Sequence, residues 1–77
     1  MYVVYGTENC AYCVQATNLL KSKGLPYEYK KLGEDVGREE FSQLFIERNL
    51  TVPRTVPQIF NDGEYVGGFN DLKKMLT

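Results

Sequence analysis

The sequence contains no histidine and no tryptophan, only two cysteines, no cluster of basic residues, and no apolar run long enough to cross a bilayer. These gaps remove whole classes of function. A cysteine hydrolase would want an imidazole base, and there is none. A structural zinc site normally takes four Cys or His ligands, and this chain supplies two. Only a site shared between two copies, or one completed by carboxylates, escapes that count. Nine basic residues against ten acidic ones leave a net charge of −1, with nothing resembling a nucleic-acid surface. The N-terminus lacks the charged-then-apolar pattern of a signal segment, so no membrane contact is expected. The expected location is the cytoplasm, where thiols are kept mostly reduced and a disulfide tends to be transient.

What remains is an ordinary globular mixture, 43% hydrophobic and 25% charged. With 77 residues, the stretch 1–77 reads as one domain, small but able to bury a core, and a monomer is expected. "YVVY" at 2–5 is β-branched and aromatic, the composition of a buried strand. From Ala11 to Lys23 neither Gly nor Pro occurs, and Cys13, Ala16 and Leu20, with Leu19 alongside, fall at helical spacing. Gly24 and Pro26 then stop that helix. "YEYKKL" at 27–32 alternates as a second strand, and "GEDVG" at 33–37 is a loop. Phe41, Leu44, Phe45 and Arg48 define an amphipathic helix over 38–49. "PQIF" at 57–60 and "EYVGG" at 64–68 are short strands around Asn61-Asp62-Gly63, a strong hairpin signal. Asn70 or Asp71 can cap a last helix that carries Leu72, Met75 and Leu76 on one face. The predicted class is α/β, in the order β-α-β-α-β-β-α. Its first two strands are parallel through a right-handed crossover, and its last two form a hairpin.

Both cysteines lie in "CAYC", Cys10 and Cys13. As a staple the pair closes a loop of only four residues, so its entropic benefit falls well below the ~3 kcal/mol of a fifteen-residue loop. Thiol redox chemistry is the use left standing, against the plainer possibility of two small buried apolar residues. Cys10 stands where the first strand hands over to the first helix. Backbone N–H groups there lack a helical partner, and the dipole favours negative charge by about 0.3–1 kcal/mol, up to ~2 where partly buried. That pulls a thiol from its reference near 8.5 toward neutrality. Cys13, one turn on, is on the same face and less exposed. Cys10 is therefore expected to attack, and Cys13 to resolve the mixed disulfide.

Two further stretches stand out. In "RTVPQIF" at 54–60, Pro57 reads on its own as an ordinary proline at the first residue of a strand. In "GGFND" at 67–71, the glycines allow close approach and the helix start could accept a carboxylate, although a Gly-Gly strand end is common.

In order and spacing these three stretches resemble the glutaredoxins, over almost the full chain. They comprise strand–"CAYC"–helix, "TVP" at 55–57, "PQIF" and "GGF-D". The compact length is most similar to bacterial and bacteriophage members. The resemblance implies a thioredoxin-like fold, a four-stranded mixed sheet with three helices, and Pro57 in the cis form near the sulfurs. It implies glutathione as cosubstrate and no tightly bound cofactor or metal. By analogy the backbone of Val56, beside Thr55, pairs with the cysteinyl part of glutathione. Gly68, Asn70 and Asp71 hold its γ-glutamyl end, and Tyr12 flanks the sulfur. Disulfide-containing proteins are the implied partners, with ribonucleotide reductase a common acceptor in the family. Two departures matter. Ala11 stands where the family usually has proline. Thr7 stands where it often has Lys or Arg, which leaves Arg54 as a candidate contact for the glycyl carboxylate or else as a solvated charge.

Thioredoxin fits less well, since the chain has Asn9, Ala11 and Tyr12 where that protein has tryptophan and Gly-Pro. Three alternatives stay open: a carrier reduced by thioredoxin reductase, a module in which Cys10 binds a glutathione-ligated iron–sulfur cluster between two copies, and an inert domain with incidental cysteines.

Overall fold

A computed structural model describes residues 1–77. The elements run β1 (Tyr2–Gly6), α1 (Ala11–Ser22), β2 (Tyr27–Lys31), α2 (Arg38–Ile46), β3 (Gln58–Asn61), β4 (Glu64–Gly67) and α3 (Phe69–Leu76). The strands form one mixed sheet in the order β2-β1-β3-β4. β1 pairs in parallel with β2 and antiparallel with β3, and β3 with β4 antiparallel. This is the predicted β-α-β-α-β-β-α sequence of elements.

Period-2 alternation divides the sheet between two cores. Tyr2, Val4 and Ile59 point to one face and pack with Ala16 and Leu20 of α1 and Leu72 of α3. Tyr5 and Phe60 point to the other and pack with Phe41 and Phe45 of α2 and with Val36. Leu20, Leu72 and Phe45 are fully buried, each contributing about 1.5–3 kcal/mol of transfer free energy. The second core is almost wholly aromatic: Phe45 meets the rings of Phe41, Phe60 and Tyr65 edge-on at 5.1–5.5 Å between centroids.

α1 ends as expected at Gly24, whose φ of +67° allows Leu25 N–H to bond Leu20 O at 3.0 Å and Gly24 N–H to bond Lys21 O at 3.0 Å. The β3–β4 turn is Asp62-Gly63, with φ of +51° and +84°, the left-handed pair that a tight hairpin turn needs.

Several boundaries differ from the sequence expectation. α2 stops at Ile46 rather than Asn49, because Asn49 takes φ +58° and Leu50 N–H reaches back to Phe45 O at 2.9 Å. Arg48 therefore leaves the helix. Its guanidinium lies 5.1 Å from the Phe60 ring centroid and donates to Gly63 O, tying α2 to the hairpin. α3 begins at Phe69, so neither Asn70 nor Asp71 is its N-cap. Gly68 is, and the Asp71 carboxylate reaches back to accept the Gly68 N–H at 3.0 Å. Met75 is exposed, leaving Leu72 and Leu76 to face the core. Pro57 precedes β3, Gly68 follows β4, and Val36 in the 33–37 loop is buried.

Candidate active site

Cys10 is the N-cap residue of α1, in extended backbone (φ −107°, ψ 104°). Asn9 before it has φ +55°, a conformation asparagine tolerates, and this turns the chain from β1 into the helix. The Cys10 Sγ accepts the Cys13 N–H at 3.2 Å, in the manner of a capping side chain. No acidic side chain lies in the first turn of α1 to oppose negative charge there. Cys10 is partly exposed, whereas Cys13 is only 1% exposed. The two sulfurs are joined as a disulfide, with Cα atoms 5.2 Å apart.

The turn that presents Cys10 is held from β2. The Tyr29 hydroxyl donates to Thr7 O at 2.7 Å, and Lys31 Nζ reaches Glu8 at 2.7 Å. Burial raises the Tyr29 hydroxyl above its ordinary value, partly opposed by the charge of Lys31. The hydrogen bond and charge of Lys31 hold the Glu8 carboxyl below its ordinary value, and the same hydrogen bond raises Lys31. Gly6 leaves room for the inner sulfur, since a Cβ there would stand 2.6 Å from Cys13 Sγ.

Facing the sulfur is the loop 52–57. The Val56–Pro57 peptide bond is cis, Pro57 is buried, and Val56 O lies 3.9 Å from Cys10 Sγ. A cleft opens beside it. One wall is Tyr12, whose ring centroid is 5.9 Å from that of Phe69. Thr55, Val56 and Pro57 form the floor, and Gly68, Asn70 and Asp71 at the head of α3 form the far wall. The amides of Phe69, Asn70 and Asp71 precede the first intrahelical bond, which Leu72 N–H makes to Gly68 O at 3.1 Å. Thr55 and Val56 also border a larger groove of about 650 Å³ that contains Thr7, Arg38 and Arg54.

The structure thus gathers Tyr12, Thr55, Val56, Pro57, Gly68, Asn70 and Asp71 around one cleft, with the Cys10 sulfur against Val56, Arg54 next door and Cys13 buried. Two residues of this region were not singled out from sequence. Phe69 lay inside the quoted "GGFND", just before the expected cap of the last helix, with no contact assigned to it. Arg38, sixteen positions before Arg54, looked like the exposed start of a helix. Arg38 and Arg54 line the same groove only in the folded chain, and no local pattern signals that.

The profile of the glutaredoxin family matches residues 2–66. Glutaredoxin 3 of Escherichia coli is 40% identical over 70 residues, covering 90% of this chain and 77% of that protein. A hybrid peroxiredoxin of Haemophilus influenzae is 34% identical over 71 residues, but this chain spans only 27% of its length. Among solved structures, a buckwheat glutaredoxin–glutathione complex is similar at 25% identity and a TM-score of 0.73, covering 95% of this chain and 64% of that one. No helix here is long and apolar enough to cross a membrane.

Proposed function

This chain belongs to the glutaredoxin family of thiol–disulfide oxidoreductases with the thioredoxin fold, and on that premise we propose that glutathione is its electron donor and Cys10 its attacking sulfur. The observation that carries the proposal is the placement of the Cys10 sulfur. It caps α1, takes an N–H at 3.2 Å, and lies 3.9 Å from the carbonyl oxygen of the half-buried Val56. An ionised sulfur is favoured there by the unpaired amides and the dipole together.

In the proposed cycle, the Cys10 thiolate attacks one sulfur of a protein disulfide or a glutathionylated thiol. The S–S bond breaks, the leaving sulfur departs as a thiolate and takes a proton, and a mixed disulfide forms on Cys10. Cys13 then attacks Cys10 Sγ and releases a bound protein as a thiol; where the group left on Cys10 is glutathione, a second glutathione attacks that glutathione's sulfur, which frees the Cys10 thiol and departs as glutathione disulfide. Two glutathione molecules supply the electrons that return the Cys10–Cys13 disulfide to the dithiol, leaving as glutathione disulfide. Glutathione carries two carboxylates, and the surroundings suit anions. The head of α3 offers free amides at Asn70 and Asp71, and Arg38 and Arg54 stand in the adjoining groove. That pair of arginines supplies the cation missing at Thr7. On this proposal 1–77 is one monomeric glutaredoxin domain of the cytoplasm. Its acceptors are mixed disulfides and protein disulfides, ribonucleotide reductase among them.

The test is a coupled assay with glutathione, glutathione reductase and NADPH, following reduction of the mixed disulfide of β-mercaptoethanol. Turnover is expected for the wild type and none for Cys10→Ser. Cys13→Ser should keep this reaction yet lose reduction of protein disulfides. Arg38→Ala and Arg54→Ala should each raise the KM for glutathione roughly two- to fivefold, the range of an exposed ion pair. Activity with thioredoxin reductase in place of glutathione would replace the proposed donor.

A further inference from the structure

Gln58 opens β3, next to Ile59 and Phe60, yet it is only 3% exposed and is the one amide or charged side chain in the interior. An apolar residue would serve that position without the desolvation that a buried amide entails. The amide is used at both ends. Its Nε2 donates to the Thr55 carbonyl at 2.9 Å and to the Thr55 hydroxyl at 3.3 Å. Its Oε1 accepts the Tyr65 hydroxyl at 2.6 Å. Tyr65 is itself wedged by its ring against Phe45 and Phe60, with centroids 5.2 and 5.3 Å away. A relay of hydrogen bonds therefore runs from β4, through β3, to the loop that faces Cys10.

Its consequence follows from the peptide plane. The Thr55–Val56 unit is trans, so its C=O and N–H point in opposite directions. With the Thr55 carbonyl drawn toward Gln58, the Val56 N–H is turned the other way. It has no backbone partner in the fold, and Val56 lines the cleft.

We infer that Gln58 is a positioning residue whose amide, anchored by the Tyr65 hydroxyl, fixes the Thr55–Val56 peptide so that Val56 N–H stands ready to receive a substrate backbone carbonyl beside Cys10. The inference rests on the proposed use of this cleft for glutathione. It adds that recognition of the cysteinyl backbone is set by a side chain that never touches the substrate. Holding the donor in place before binding spares the entropy of ordering it on binding.

The experiment measures 15N relaxation of the free protein and its titration with S-methylglutathione, which binds without redox chemistry. In Gln58→Met, the Val56 amide should lose order, and Kd should rise about tenfold, the scale of one buried hydrogen bond left unmade. The rate at which iodoacetamide alkylates Cys10 should stay the same, because that small reagent needs no peptide donor. Tyr65→Phe keeps the amide but frees its anchor, and should raise Kd about two- to threefold. It carries the test if Gln58→Met does not fold. Unchanged order at Val56 overturns the inference, as does an unchanged Kd. A parallel slowing of Cys10 alkylation also overturns it, since the disturbance would then reach the sulfur. Failure of the wild type to bind S-methylglutathione sinks the glutathione proposal instead, and the relaxation data still decide whether Gln58 fixes the peptide.

Discussion

Two thiols of identical chemistry, three positions apart, are made different by where α1 begins. Cys10 precedes the first helical residue and takes an amide hydrogen at its sulfur, while Cys13 lies inside the turn and is almost completely covered. Substoichiometric iodoacetamide at neutral pH should therefore modify the reduced protein at Cys10 at least about tenfold faster than at Cys13, since thiolate fraction and exposure together govern the rate. Mass mapping of the labelled peptides checks this, and the opposite order would reverse the two roles. The neighbouring pair Glu8–Lys31 has a sign that can be worked out in the same way. Lys31 depresses the Glu8 pKa below its ordinary 4.5. Its stabilising effect is thus complete above that ordinary value and is lost as the pH falls through the depressed one. Lys31 is raised by the same contact, so its share persists until alkaline pH, above its ordinary 10.5. Glu8 is exposed and Lys31 about a quarter so, and the effect is therefore small and weakens with salt. The Tm of Glu8→Gln should fall below that of the wild type at pH 7, and the two should converge when both are scanned near pH 3. A gap that survived acid would mean that Glu8 acts through something other than its charge.

Strand β1 and helix α1 approach so closely at the site that Gly6 has no space for a side chain. A Cβ would meet Cys13 Sγ at 2.6 Å. The Tyr29 hydroxyl stands nearer still, so Gly6→Ala must displace that ring as well as the sulfur, and should destabilise the protein by about 1–3 kcal/mol, the range for overpacking a dense core. Urea denaturation measures it; a neutral result would show that the junction yields without loss. This contact was invisible in the sequence, because it depends on Cys13, on the inward face of the next helix, and on Tyr29 in β2. The elements themselves were legible, since period-2 and period-3.6 apolar spacing survive in "YVVY", in Cys13–Ala16–Leu20 and in Phe41–Phe45. Their ends were less so. Arg48 follows the spacing of α2, but the Gly63 carbonyl and the Phe60 face draw it away from the helix. Asp71 does satisfy the start of α3, but from three residues inside it, so a carboxylate near a helix start was read as the cap itself. The isomer of Pro57 is not written in the proline; it came from the resemblance to a family. In the site, the contiguous stretches around Cys10, Val56 and Asp71 could be found by eye, while Arg38 and the Gln58 relay exist only once distant segments meet.

The fold draws its stability from its two cores, and the site borrows rigidity from them: α1 and α3 frame the cleft from one face of the sheet, and the Tyr65–Gln58 relay reaches the facing loop from the other. The Cys10–Cys13 bond should then be dispensable for folding, as an electron carrier requires. For a loop of four residues the chain-entropy estimate is about 2 kcal/mol. A 77-residue protein typically has roughly 4–12 kcal/mol in total, so breaking the bond leaves a folded chain. Phe45, fully buried at the centre of the aromatic cluster, is the opposite case. Phe45→Ala removes the cluster's centre and should cost about 3–5 kcal/mol, in the oxidised and the reduced protein alike. Denaturation of both redox states of both proteins separates these contributions in one set of curves. The reduced wild type should unfold in a single transition, with a stability no more than about 2 kcal/mol below that of the oxidised form. Phe45→Ala should lose more than that without any change in thiol state. A wild-type chain that unfolds as soon as it is reduced would make the disulfide a structural bond, and a protein held together by the bond it must repeatedly break could not serve as a dithiol carrier.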